Sequence, residues 1–181
     1  IATSMFVHAL REEVLNVPGA DAEEFARMDD AACMERLKRS PHPITRDLAR
    51  RVYYRDLYKR ALYVGEDRVN AAAFRQDPGP AREREIARAI AETAGIAEDE
   101  VLVDIPPLPR ALSMEVRVRH SHTMLDLEEV SPLINTMNDT RRQQWRLGVY
   151  TTQEHRNTVE QAAMEVLRVK RPTKQDKLVV A

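Results

Sequence analysis

The segment Tyr53-Tyr54-Arg55-Asp56-Leu57-Tyr58-Lys59-Arg60 decides how the chain is divided, because helical spacing gives way here to β-favouring residues. Upstream, Ile44, Leu48 and Val52 recur at intervals of four, while Leu62-Tyr63-Val64 downstream is rich in strand formers and stops at Gly65. This pattern predicts a helix to about Asp56 and a strand from about Tyr58 to Val64. The same eight residues concentrate aromatic rings with cations, which is chemistry for gripping a phosphate ester rather than for cleaving one.

Upstream of this junction the pattern is helical. Ala2, Phe6, Ala9, Leu10 and Val14 share one face, and Asn16-Val17-Pro18-Gly19 ends the run. Asp21-Ala22-Glu23-Glu24 has the order of a capping box, Asp29 or Asp30 is placed to cap a helix through Leu37, and Ser40-Pro41-His42-Pro43 is a joint. Helical spacing begins at the first residues with no start signal before it, so the chain is expected to be a piece of a longer polypeptide.

Downstream, Asp77-Pro78-Gly79-Pro80 is a break, followed by Ile86, Ala89, Ile90 and Ala94 on one helical face with Gly95 as terminator. Val101 to Ile105 reads as a buried strand ended by Pro106-Pro107, and Met114 to Arg119 alternates apolar and charged residues. His120-Ser121-His122 suggests a hairpin turn. Ser131-Pro132 opens a helix whose core side is supplied by Leu133, Ile134 and Met137, then Trp145, Leu147 and Val149 alternate as a strand, and Thr151-Thr152-Gln153-Glu154 restarts a helix lined by Val159, Ala162, Ala163, Val166 and Leu167.

These elements predict an α+β protein: a helical segment over residues 1–57, a ferredoxin-like βαββαβ lobe with an antiparallel sheet and an extra C-terminal helix over 58–170, and a frayed tail over 171–181. The open face of such a sheet must be covered or used, and the N-terminal helices are the expected cover.

Composition limits the function. The 181 residues are 43% hydrophobic and 31% charged, enough for a folded core and against wholesale disorder. A net charge of -1 gives no global positive field, so nucleic acid is not an expected partner, and no apolar run is long enough to span a bilayer. The single cysteine, Cys33, reads as a small buried thiol in a reducing, cytoplasmic compartment.

With five glycines and no nucleophile elbow, phosphate loop or paired-Cys spacing, no catalytic residue and no metal site is assigned. His120 and His122 lack a third ligand at a suitable spacing. Asp56 and Asp104 are the carboxylates best placed to matter, though Asp at element ends commonly caps. On the sheet, Arg117 and Arg119 share a face with Glu115, Arg146 shares one with Tyr150, and Lys59 shares one with Ala61 and Tyr63. If those faces coincide, the surface suits phosphates or stacked bases.

Together, Asp29-Asp30 before a helix, the proline joint, Tyr54-Arg55-Asp56-Leu57-Tyr58-Lys59 and Val101-Leu102-Val103-Asp104-Ile105-Pro106 resemble the carboxyl-terminal part of HD-domain phosphohydrolases. The relevant branch contains the deoxynucleoside triphosphate triphosphohydrolases, and the likeness spans roughly residues 1–152. In that family a His, a His-Asp pair and a distant Asp on an upstream helical bundle hold the metal. This chain contains no His-Asp dipeptide.

The resemblance therefore implies a region that is inactive alone. Its expected partners are an upstream HD bundle, which carries the divalent metal in the intact parent, and further copies in a homo-oligomer. In animal members the Arg and Lys of the motif that looks like Arg55-Asp56-Leu57-Tyr58-Lys59 help bind an activating guanine nucleotide at a subunit contact. Arg55 and Lys59 are accordingly the first ligand-binding candidates, with Tyr58 as a neighbouring packing group and Arg117 and Arg119 as sheet candidates. A module that binds nucleic acid or a small ligand through its open sheet face is the alternative function.

Overall fold

In the computed structural model of the chain, the described residues are 1–69, 79–108, 116–120, 123–126 and 131–170. Glu115, His122, the break at 77–78 and the tail at 171–181 lie outside them.

Four helices open the chain: α1 (Ala2–Asn16), α2 (Ala22–Ala26), α3 (Asp30–Lys38) and α4 (Pro43–Tyr54). Their starts follow the capping signals. Asp21 accepts from the Glu23 amide at 3.1 Å, and Asp29 accepts from the Ala32 amide at 2.7 Å. The reciprocal half of the expected capping box is not made, because the Glu24 carboxylate accepts from Arg36 instead. Phe25, Cys33, Leu37 and Ala49 form a small core among these helices.

The α4 helix ends at Tyr54, and Arg55 takes the left-handed conformation at φ 65°. Strand β1 (Lys59–Val64) begins four residues later, so the handover falls within two residues of its expected place. The second half contains α5 (Gly79–Ala94), β2 (Val101–Asp104), β3 (Arg117–His120), β4 (Thr123–Asp126), α6 (Pro132–Gln144), β5 (Leu147–Thr151) and α7 (Arg156–Val166).

The chain is α+β with antiparallel pairing. However, the described strands do not form the expected four-stranded ferredoxin-like sheet. They form one sheet in the order β1-β5-β2, and β3 pairs only with β4 in a separate two-stranded sheet. The reason lies in the side chains. A central strand must tolerate burial on both faces, and all five residues of β5 are buried. β3 carries exposed Arg117 and Arg119, and it finds its partner in the strand next in sequence, with His120 opposite Thr123.

Two other boundaries differ from expectation. Thr151 stays in the ladder, opposite Lys59 on one side and Val101 on the other, so the last helix begins at Arg156 rather than near Thr152. The register of β1 also shifts between Arg60 and Leu62, which sends Ala61 into the core and leaves Arg60 on the same face as Tyr63. The expected set Lys59, Ala61 and Tyr63 is thereby broken up.

The three-stranded sheet lies between helices. On one face Leu62, Val64, Val101, Val103, Leu147 and Val149 meet Ile86 and Ile90 of α5 and Val159 and Ala163 of α7. On the other, Leu102 and Tyr150 meet Met5 and Ala9 of α1 and Leu48 of α4. The N-terminal helices do cover this second face, but only in part. No described helix is long and apolar enough to cross a membrane.

Candidate functional site

At the junction of α4 and β1, Tyr53 and Tyr54 are exposed, with rings 5.0 Å apart at 89°. The Lys38 ammonium sits 3.6 Å from the Tyr53 ring centroid. Asp56 does not neutralise its neighbours, since it accepts from Arg51 at 2.8 Å, and Arg51 also donates to Asp47 at 2.7 Å. Arg55 and Lys59 are exposed, and neither has an ion pair among the described residues.

Tyr58 is a packing group. It is 4% exposed and clusters with Met5, Leu48 and Leu102. Its amide points at the Met5 sulfur at 3.4 Å and its hydroxyl donates to the Asp99 carbonyl at 3.2 Å. Burial pushes the phenol up to about 12, with smaller contributions from surrounding charges.

A phenol whose folded pKa lies above its unfolded value keeps its proton longer in the native state. Its stability contribution is present below pH ~10 and is lost as pH rises towards ~12. Urea denaturation of the wild type should lose about 2–3 kcal/mol from this group across that window, and Tyr58→Phe should flatten the loss. Equal slopes for the two proteins would contradict the assignment.

A second constellation lies on the sheet. Tyr63, Gly148 and Asp104 stand opposite one another across β1, β5 and β2. Tyr63 and Asp104 border a cleft of about 390 Å3 lined also by Pro106, Pro107, Arg141, Gln144, Trp145, Arg146 and Tyr150. The Arg60 guanidinium carbon lies 4.0 Å from the Tyr63 ring centroid. Trp145 donates its indole N–H to the Pro106 carbonyl at 2.6 Å, and Arg146 donates to the Trp145 carbonyl at 2.7 Å and to that of Gln143. Burial, followed by Asp104, raises the Tyr150 phenol above its ordinary value.

Of the sequence candidates, Arg146, Tyr150, Tyr63 and Asp104 meet here. Lys59 is not among the lining residues, and Arg117 and Arg119 belong to the other sheet. The cleft residues that sequence reasoning did not assign to a site were Pro106, Pro107, Arg141, Gln144 and Trp145, with Arg60 beside the Tyr63 ring. Arg141 and Trp145 flank the helix-to-strand junction before β5, and no local pattern marks them as facing β1 and β2.

Between α1, α5 and β2 lies a third polar region, a pocket of about 410 Å3. Buried Glu12 accepts from Arg84 and from Asn16, each at 2.7 Å, and Arg11 pairs with Glu83 at 2.7 Å. Glu83 also accepts from the Ile105 amide at 3.0 Å. Burial holds the His8 imidazole below its ordinary value despite Glu12 nearby. These charges satisfy one another across the α1–α5 contact, which is what a structural network does.

Among the described residues one group of possible metal ligands converges. Glu100, Glu154 and His155 place one ligand atom each within 4.8 Å of one another. His155 Nε2 lies 3.6 Å from Glu100 and 3.8 Å from Glu154, spacings that also suit ion pairs. Cys33 is buried, and burial raises its thiol, in line with a packing role.

No curated protein and no solved structure matches the chain. A family model does: that of the HD associated region matches residues 1–178. That match spans the helices, the sheet and the cleft alike, and the chain belongs to the HD associated region family, found in association with HD-domain proteins.

Proposed function

We propose that this chain is the non-catalytic partner lobe of an HD-type phosphohydrolase acting on nucleotides or related phosphate esters, and that it serves oligomer contacts and nucleotide sensing. The family match over residues 1–178 is the observation that carries the reading. In this reading residues 1–57 continue the HD bundle, and residues 58–170 form the lobe that docks on it. The partner bundle holds the divalent metal that activates water, in a reducing, cytoplasmic setting.

Arg55 and Lys59 are the proposed nucleotide contacts. Both are exposed cations without an ion pair among the described residues, next to two exposed tyrosines. A guanidinium offers phosphate a two-pronged fork and an ammonium offers a point charge. Arg117 and Arg119 remain candidates on the β3–β4 hairpin, outside this cluster.

The test has two arms. The chain is co-expressed with an HD bundle carrying the His, His-Asp and Asp ligands, and the mass of the assembly is measured by light scattering. A stable complex is expected, and two separately eluting proteins would remove the partner role. The complex is then titrated with deoxynucleotides and guanine nucleotides. Arg55→Ala and Lys59→Ala should each weaken binding about 10-fold to 100-fold. Binding that both substitutions leave intact would remove the nucleotide assignment while leaving the partner role standing.

The alternative, a ligand-binding module on the sheet face, has one observation in its favour: the cleft bordered by Tyr63, Asp104 and Tyr150.

A further inference from the structure

The geometry of that cleft goes beyond the HD partnership and does not depend on Arg55 or Lys59. Strand register puts Tyr63 opposite Gly148 and Gly148 opposite Asp104. Tyr150, two residues along β5 on the same face, lays its ring over Gly148, where a Cβ would collide with the phenol. The absence of a side chain at residue 148 thus brings the Tyr150 hydroxyl into the row between an aromatic ring and a carboxylate.

Tyr150 is 4% exposed overall, but it lines the cleft, so its hydroxyl is open to a ligand atom there. Asp104 takes the Ser4 hydroxyl on Oδ2 at 2.6 Å, and among the described residues its Oδ1 has no partner. Tyr63 is 45% exposed and backed by Arg60, so it offers ring surface for stacking. Arg141 and Arg146 stand at the rim.

A ligand that suits this wall must do three things at once. It needs a flat ring for Tyr63, adjacent hydrogen-bond donor and acceptor atoms on its edge for Asp104 and the Tyr150 hydroxyl, and an anionic end for the two guanidiniums. A bare phosphate would occupy only the two guanidiniums and leave the Tyr63 ring, Asp104 and the Tyr150 hydroxyl unused. The volume of about 390 Å3 is at the small end of ligand pockets, which favours one nucleotide over an extended strand.

We infer that the cleft binds a nucleoside monophosphate, with its base against Tyr63, the base edge on Asp104 and the Tyr150 hydroxyl, and its phosphate at Arg141 and Arg146. Trp145, the single tryptophan of the chain, lines the same cleft and reports occupancy by its fluorescence.

The experiment titrates the full chain with AMP, GMP, CMP and UMP, with adenosine and inorganic phosphate as separate arms. At least one nucleotide should change Trp145 emission saturably, more tightly than adenosine or phosphate alone. Tyr63→Ala should weaken that nucleotide about tenfold through lost stacking, and Tyr150→Phe about fivefold while keeping the ring in place. Arg146→Gln should weaken the nucleotide but not adenosine, whereas Arg27→Ala, at an exposed position just after α2, should leave the titration unchanged.

Absence of saturable binding for all four nucleotides by fluorescence and calorimetry would overturn the inference. So would wild-type affinity in both Tyr63→Ala and Tyr150→Phe, or a single-stranded RNA that binds far more tightly than any mononucleotide.

Discussion

Replacing Leu147 by Ala is expected to lower the unfolding free energy by about 2–5 kcal/mol, measured by urea denaturation. Leu147 is fully buried at the start of the central strand, opposite Val64, within the core formed by the sheet, α5 and α7. Truncation removes its transfer free energy and leaves a cavity, because neighbours held on two strands and two helices relax only in part. Of the three residues expected on the core side of α6 only Ile134 is buried, and Leu133 and Met137 are exposed; Leu133 is therefore the control, and its replacement by Ala should change stability by no more than about 0.5 kcal/mol. Similar losses for the two variants would mean that β5 is not the centre of the core.

Met5→Ala should cost a comparable amount, about 2–5 kcal/mol, although it lies far away in sequence on the first helix. Its side chain is fully buried among Ala9, Leu48, Tyr58, Leu102 and Tyr150, and its sulfur faces the Tyr58 amide. The substitution therefore loosens the contact between the N-terminal helices and the sheet rather than the helix bundle alone. A second readout follows from that placement: the high titration of the Tyr58 phenol, which rests mainly on burial, should move down towards its ordinary value. Met137, exposed on α6, serves as the neutral control. If Met5→Ala behaved like Met137→Ala, the helical layer would not be packed on the sheet as described.

Element types were legible wherever a physical signal was local. Asp29 before α3, proline at the first turn of α4 and of α6, and the run of apolar residues in β2 each state what the nearby backbone does, and the structure has those elements. The thiol of Cys33 was likewise readable, because a small apolar context around one cysteine leaves packing as its role. The family was legible too: the resemblance read from Arg55 to Lys59 and Val101 to Pro106 agrees with the match to the HD associated region over residues 1–178.

Pairing between distant strands was not legible. Alternation of apolar and charged residues said that Met114 to Arg119 prefers an extended form, but nothing in it named a partner. Competition decided that: β5 could be buried on both faces, and β3 with its arginines could not. The bulge at Ala61 escaped notice for a similar reason, since a one-residue slip is set by the facing strand, and it moved Arg60 rather than Lys59 beside Tyr63.

Local sequence determined the helices, their caps, the strand-forming stretches and the kinship with HD-domain proteins, because capping, proline geometry and hydrophobic period act over a few residues. Only the tertiary structure decided that Asp104, Tyr63 and Tyr150 converge around Gly148, since three strands far apart in sequence had to find their register first. Register is a long-range property: it comes from burying β5 on both sides, and no single segment carries that information.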